Sequence, residues 1–447
     1  MASLDRLPLL EAQCKSFPGP LSAAIYLPLL LATGAGPAGP SPWRRHRRGR
    51  RRAPRGAESG SGAGRHSAGA HYDTAGRLRE AIETLEALFS RLESAPSACA
   101  PVLALYSERL ADPALAALMP TNALRNAALL PAATPLAAMV DADLSASAGL
   151  GGLVGNGSWA SDLVARAQRS RSVWLLPAWE TARSLGEAGG HGVAGEALAG
   201  DKAALARLWL GEAAAQALAS AGRSGPCTAG QHGSGSSSAS AAAASAGSTA
   251  CGQLAAAAAA DAAGAGPPGS GRLYPFALRE FAGGHGPTDY LRFLTTDEPY
   301  KVPYVEGFEP WFVADRFALL PYDELFRGWY GDKISQVKHQ AAHRFAFHVL
   351  PGAWLVHRPH APAPAAAIFR REAGAQAHGV NALLQKTVRR FVRRSKFDHY
   401  VTHNRNLDYW QRRGQARGTY EPQRSAGFER CRSLLPWWRE GGQERAD

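Results

Sequence analysis

Residues 136–143 read Leu136-Ala137-Ala138-Met139-Val140-Asp141-Ala142-Asp143, five apolar residues that deliver two carboxylates. A run of this kind predicts a buried strand, and in open α/β sheets ligands bind outside the carboxyl ends of the strands. In extended backbone, residues i and i+2 point to the same side, so Asp141 and Asp143 are expected to converge. Their mutual repulsion at neutral pH is relieved by a divalent cation, which in turn bridges naturally to a diphosphate. A solvated turn after a strand is the plain alternative for a bare D-x-D. The surrounding sequence has to decide.

Upstream, Leu7, Leu10 and Cys14 share one helical face, and residues 25–31 read as a core strand after the break at Phe17-Pro18-Gly19-Pro20. From Thr74, Leu78, Ile82, Leu85, Leu88, Phe89 and Leu92 recur at helical spacing. Residues 101–106 and 172–176 are further strands, 121–130 a helix, and 185–222 an alanine-rich, helix-prone stretch. Strands alternating with helices at these intervals predict an α/β domain with a largely parallel sheet. Two G-x-G-x-x-G matches (Gly34, Gly36, Gly39 and Gly264, Gly266, Gly269) are set aside, because adjacent prolines prevent the helix that a dinucleotide site requires.

The 447 residues and 45% hydrophobic content support a buried core, although much of that content is alanine in biased runs. The formal charge of +13 is concentrated. Eight arginines fall between Arg44 and Arg55 in a Gly/Pro-rich stretch, and a second cluster runs from Lys386 to Lys396. The first reads as a solvated, disordered insert, since like charges repel and nothing apolar anchors them. In the second, Leu384, Val388, Phe391 and Val392 give an apolar stripe beside Arg389, Arg390, Arg393 and Arg394. That allows a competing reading as a non-catalytic protein binding nucleic acid or an anionic surface, but no nucleic-acid motif accompanies it. Five cysteines without CxxC or zinc-finger spacing argue against a disulfide scaffold or a cysteine-built zinc site as the organising principle, and leave the redox compartment open. Residues 21–32 could pass for a signal-peptide core, yet acidic residues precede it, so a buried strand is the better reading.

Beyond a Ser/Ala/Gly tract over 223–271, aromatics, acids and histidines return. Glu309-Pro310-Trp311, Tyr322-Asp323-Glu324-Leu325-Phe326, Gly328, Gly331, Lys333 and Leu355-Val356-His357 lead to Arg358-Pro359-His360. A histidine added to two carboxylates makes a mixed N/O site that suits manganese better than calcium.

These blocks, in this order, resemble glycosyltransferase family 49, the LARGE-type xylosyl/glucuronyltransferases. Carrying the resemblance are residues 7–30, Pro120-Thr121-Asn122-Ala123-Leu124-Arg125-Asn126, Val140-Asp141-Ala142-Asp143-Leu144, Leu176-Pro177-Ala178-Trp179-Glu180, residues 304–331 and Leu355-Val356-His357. It implies a GT-A type nucleotide-diphospho-sugar transferase fold with a mixed central sheet, interrupted by disordered inserts. The implied reaction is inverting transfer of glucuronic acid or xylose from a UDP-sugar to a glycan or glycoprotein, with manganese. Asp141, Asp143 and His357 would hold the metal, Asp323 or Glu324 would be the base, and Asn122, Arg125, Asn126 and Asp141 would line the donor pocket. Glu180, Glu309 and Trp311 would shape the acceptor site. The family's arginine is Leu325 here, which leaves a degenerate scaffold as an alternative.

The organisation implied is residues 1–32 opening the domain, an insert over 33–72, a nucleotide-sugar part over 73–222 and an insert over 223–271. An acceptor- and metal-closing part over 272–372 and a basic tail over 373–447 follow. Golgi or secretory-lumen residence is implied. The first helix begins so near Met1 that no room is expected for the family's membrane anchor.

Overall fold

The computed structural model describes residues 1–31, 73–95, 99–110, 116, 118–221, 251–260, 271–328, 331–362 and 398–438. The expected insert over 33–72 and the basic cluster at 386–396 lie outside them. Among the described residues, twelve strands form three sheets.

In the first sheet, β1 (Ala2–Ser3), β2 (Pro20–Leu30) and β3 (Ala100–Leu110) run parallel in that order. Helix Thr74–Glu93 starts where the Asp73 side chain accepts from the Gly76 amide, a side-chain N-cap. It lays Leu85, Leu88 and Leu92 against Leu7, Leu10, Cys14 and Ile25. Ile82, expected on that face, is exposed instead. Its 3.6-residue phase falls outside the narrow stripe that one sheet face can cover. A disulfide joins Cys14 in helix Leu7–Ser16 to Cys99 just before β3, closing a separation of 85 residues. Cysteine spacing gave no hint of it, because the pairing is made by the fold and not by a local motif.

The other two sheets are mixed, so the expectation of a largely parallel sheet holds only for the first. In order, the second contains β4 (Leu136–Ala138), β10 (Trp311–Asp315), β6 (Ser172–Leu176), β11 (Ala346–Val349) and β9 (Tyr300–Val302), with β6 and β11 the one parallel pair. All residues of β6 and β10 are buried, as a sheet covered on both faces requires. The third contains β5 (Leu144–Ala146), β12 (Leu355–His357), β7 (Ala178–Thr181) and β8 (Leu273–Pro275), with β12 and β7 parallel. Chain order alone could not reveal this. The antiparallel partners β8 to β10 come from beyond residue 271, after the low-complexity tract.

The largest core surrounds Trp179, whose ring meets Trp209 at 5.5 Å and Tyr290 at 5.2 Å, both edge-on. Within the tract expected to be disordered, residues 251–260 are helical, and Leu254 is fully buried in this core. Cys251, Ala257 and Ala258 pack against the same core. Part of the stretch expected as a basic tail packs as well. Trp437 and Trp438 both donate their indole N–H to the Leu130 carbonyl at 2.9 Å.

Candidate metal centre and its charged neighbour

Asp141 and Asp143 occupy the link between β4 in the second sheet and β5 in the third. The strand stops at Ala138, and the Leu144 amide donates to the Asp141 carbonyl at 3.1 Å. That i to i+3 bond makes the segment a turn rather than extended chain, so the two side chains need not share a side. Helix Leu7–Ser16 fixes the turn: buried Gln13 donates Nε2 to the carbonyls of Asp141 (3.1 Å) and Leu144 (2.8 Å).

Asp143 faces the third sheet. β5 and β12 place Leu144 opposite His357, and the Arg358 amide continues the pairing to the Asp143 carbonyl at 2.8 Å. Asp143 Oδ2 lies 2.9 Å from His360 Nε2 and 3.5 Å from His357 Nε2, and the two ring nitrogens are 3.1 Å apart. Ligand atoms of these three residues lie within 4.8 Å of one another. Burial by itself would raise the Asp143 carboxyl, but the hydrogen bonds from His357 and His360 outweigh it and hold the group well below its usual range. One carboxylate oxygen and two imidazole nitrogens converging on one point fit a first-row transition ion, because two facing ring nitrogens cannot both donate to each other while both can ligate. His360 was not assigned a role from the sequence. Its signal was the H-x-x-H spacing directly after an apolar strand.

Asp141 belongs to a different network. Its Oδ1 is 3.3 Å from Arg125 Nη2, while Oδ2 is 3.1 Å from Lys333 Nζ and accepts from Trp311 Nε1 at 3.1 Å. Burial pushes this carboxyl up, but Lys333 and Arg125 pull harder and bring it to about 2. Arg125 is itself buried and donates Nη1 to Asp332 at 2.6 Å and to Asn122 at 2.8 Å. Asp332 and Lys333 open helix Asp332–Ala342, which Gly331 enters at φ 77°, a conformation that favours glycine.

Glu309 is the second carboxylate on Lys333, at 3.4 Å, and burial raises its pKa. Lys333 Nζ also sits 3.7 Å from the Trp311 ring centroid. The other neighbours of that indole are His285, stacked at 5.6 Å, and Phe276, edge-on at 5.1 Å; Phe276 also meets His357 at 5.1 Å. An aromatic wall therefore joins the two networks. Burial, aided by Lys333, lowers His285 to about 3, so its ring is neutral. Glu180 is the register partner of His357 across β7 and β12; its Oε1 accepts from the Ala277 amide at 2.8 Å, and burial raises its pKa.

Asn122, Asn126, Asp323 and Glu324 come together elsewhere, as a tether. Asn122 Nδ2 donates to the carbonyls of Asp323 (2.9 Å) and Asp332 (3.1 Å). Asn126 bridges both backbone groups of Tyr322 and donates to Glu324 Oε1 at 3.0 Å. Asp323 Oδ2 accepts from Tyr420 at 2.9 Å, and Glu324 Oε2 from the Ser425 amide at 2.9 Å. None of these bonds reaches Asp143, His357 or His360. The carboxylates of Asp323 and Glu324 hold the C-terminal segment, and the two asparagines bind the backbone of Tyr322, Asp323 and Asp332.

Residues 269–387 match the family model described as "Glycosyl-transferase for dystroglycan". That stretch is similar to the dystroglycan glycosyltransferases. It contains His357, His360, Glu309 and Lys333, whereas Asp141, Asp143 and Glu180 lie before it. The resemblance read from the motifs extends to individual proteins. The chain is 43% identical over 89 residues to the glycosyltransferase-like protein gnt14 of Dictyostelium discoideum, covering 20% of this chain and 14% of that one. It is 38% identical over 104 residues to the xylosyl- and glucuronyltransferase LARGE2s of Gallus gallus, and 36% over 101 residues to LARGE2 of Homo sapiens. Each of these two alignments covers 23% of this chain, and the matched stretch spans 14% of each relative.

Proposed function

We propose that this protein is an inverting, manganese-dependent glycosyltransferase of GT-A type that moves a sugar from a UDP-sugar to a glycan or glycoprotein acceptor. The observation that carries the reading is the convergence of Asp143, His357 and His360 on one point, with both histidines inside the stretch similar to glycosyltransferases. A bound divalent ion would neutralise charge on the departing nucleoside diphosphate. Asp143, His357 and His360 would hold it, and Asp141 would stand beside it, kept ionised by Lys333 and Arg125. The printed names of the relatives make glucuronate and xylose the first donors to try.

Inversion is a single in-line displacement and needs a carboxylate to take the proton of the acceptor hydroxyl. Asp323 and Glu324 are engaged in tethering, so the role passes to Glu180. It neighbours His357 in the sheet, and burial raises its proton affinity toward that of a working base. Glu309 and Trp311 would form the wall facing the acceptor. The Cys14–Cys99 disulfide supports residence in an oxidising lumen such as that of the Golgi. Among the described residues no helix is long and apolar enough to cross a membrane.

UDP release from UDP-glucuronate and UDP-xylose, followed with and without manganese, tests this. Turnover should require the metal and fall roughly 1,000-fold in Asp143→Asn. Glu180→Gln should lose on the order of 100-fold with donor binding intact. Metal-independent turnover, or Asp143→Asn working as well as the parent, would remove the acidic cluster from the reaction.

A further inference from the structure

A second concave site lies away from the metal cluster, between the Asp323–Leu325 loop and helix Asp398–Ala416. Its cavity is about 310 Å³, the lower end of the range in which small-molecule sites fall. The 398–416 helix lies outside the stretch that matches the family.

The helix is firmly held on its inner side. Gln411, buried, donates to the Ser335 carbonyl at 2.6 Å; Asn404 donates to the Arg327 carbonyl at 3.2 Å; and Asp408 pairs with buried Lys338. Toward the cavity it presents Trp410, Arg413 and Gly414, spaced i, i+3 and i+4 on one helical face, and Arg417 follows in the turn just past its end. Trp410 is 61% exposed. Its ring meets the exposed Tyr409 ring edge-on at 5.4 Å, and the rest of this large apolar face is open to solvent. At Gly414 an added Cβ would stand 2.9 Å from the Tyr420 Cβ and 3.1 Å from its Cα. The helix and the Tyr420 strand of chain therefore close on one another only because residue 414 lacks a side chain, and this contact shapes the cavity.

The charged groups around it are Arg413, Arg417, Glu421 and Asp323. Asp323 is spent, since its oxygens accept from Tyr420 and from the Leu325 amide. Arg413 gives one Nη1 hydrogen bond to the Tyr409 hydroxyl at 3.0 Å; the rest of its fork, the exposed Arg417 fork and the Glu421 carboxylate remain beside an exposed indole and the side chain of Leu325, which is 44% exposed. An apolar ring face flanked by planar donors and an acceptor is the complement of a sugar ring, which offers C–H bonds on its face and hydroxyls at its edge.

We propose that this cavity binds a saccharide, with Trp410 as the stacking platform and Arg413 and Arg417 as hydrogen-bond donors to ring substituents. It would take a remote part of the acceptor chain, and in this respect it rests on the glycosyltransferase reading. Two guanidiniums against one free carboxylate favour a sugar bearing a carboxylate over a neutral one.

Binding is tested on the full chain, free of metal and donor, by tryptophan fluorescence and calorimetry with hyaluronan tetrasaccharide (uronate-bearing) and xylotetraose (neutral). The parent should bind the acidic tetrasaccharide more tightly. Trp410→Ala should weaken it at least tenfold, Arg413→Gln by a smaller factor, and donor hydrolysis without acceptor should be unchanged in both. Unaltered affinity in Trp410→Ala, no binding of either saccharide by the parent, or displacement by inorganic phosphate at equal ionic strength would overturn the proposal. The reading of the metal centre fails by a different measurement, loss of metal dependence in UDP release. A working saccharide cavity in a protein that hydrolyses no UDP-sugar separates the two.

Discussion

Asp141 and Asp143 are two residues apart and live in different electrostatic worlds. Asp143 faces two imidazoles, whose hydrogen bonds hold its carboxyl well below the usual range against the effect of burial. Asp141 is paired with the Arg125 guanidinium and the Lys333 ammonium, which offset its charge. The difference comes from the turn between β4 and β5, which sends one side chain toward the third sheet and the other toward helix Asp332–Ala342. A pair of carboxylates written as D-x-D therefore need not be two copies of one function. Here one sits against two histidines and the other in a buried ion-pair network.

The sharpest way to break this contrast is metal affinity. Manganese binding, read as the rise in melting temperature on titration, should be lost in Asp143→Asn and weakened roughly 10- to 100-fold or more in His360→Ala. Asp141→Asn should stay within a few-fold of the parent. Equal losses at both aspartates would mean that the turn opens and that Asp141 swings from Lys333 to the ion.

Stability should invert the ranking. With its carboxyl held near 2 against an ordinary 3.8, Asp141 contributes about 2 kcal/mol at neutral pH. Asp141→Asn should lower the unfolding free energy of metal-free protein by about that much, since Arg125 and Lys333 keep Asp332 and Glu309 as partners. A carboxyl with a depressed pKa stabilises above its unfolded value and loses that contribution as pH falls toward the folded one. The difference between parent and variant should therefore shrink as pH drops from 4 toward 2. A constant difference across that window in denaturant titrations would assign the cost to packing instead.

The sequence made the acidic pair and His357 visible, because apolar runs delivered both to strand ends. It could not show that Met139 and Val140 leave the strand, since an apolar residue reads the same in a strand and in a buried turn. That hid the parting of the two carboxylates. The surroundings of Asp323 and Glu324 were hidden for a related reason. Adjacent acids in an aromatic block look reactive, but their hydrogen bonds to Tyr420 and Ser425 come from a segment whose composition reads as a solvated tail. Strand and helix alternation alone suggested a largely parallel sheet, since the antiparallel strands enter from beyond the alanine-rich tract; the mixed sheet was implied only by the family resemblance. Residues 251–260 escaped because a single leucine gives no periodicity to detect. What periodicity could carry, notably helix Thr74–Glu93 and strands β2, β3 and β6, it carried well.

The smallest effect concerns the aromatic wall that joins the two networks. His285 stacks on Trp311 and is held neutral, its pKa brought to about 3 by burial and by Lys333. In the unfolded chain the same group takes up a proton near 6.5. A histidine with a depressed folded pKa therefore leaves stability intact above 6.5 and erodes it as pH falls, because the unfolded state binds the extra proton. The slope has an upper limit of about 1.4 kcal/mol per pH unit between roughly 6 and 4, where Asp141 still keeps its charge. His285→Gln should flatten that part of the profile while leaving manganese affinity unchanged. If the slope persists, the acid sensitivity resides in another buried ring, and His339, lowered to about 4 by burial and His343, is the next to replace.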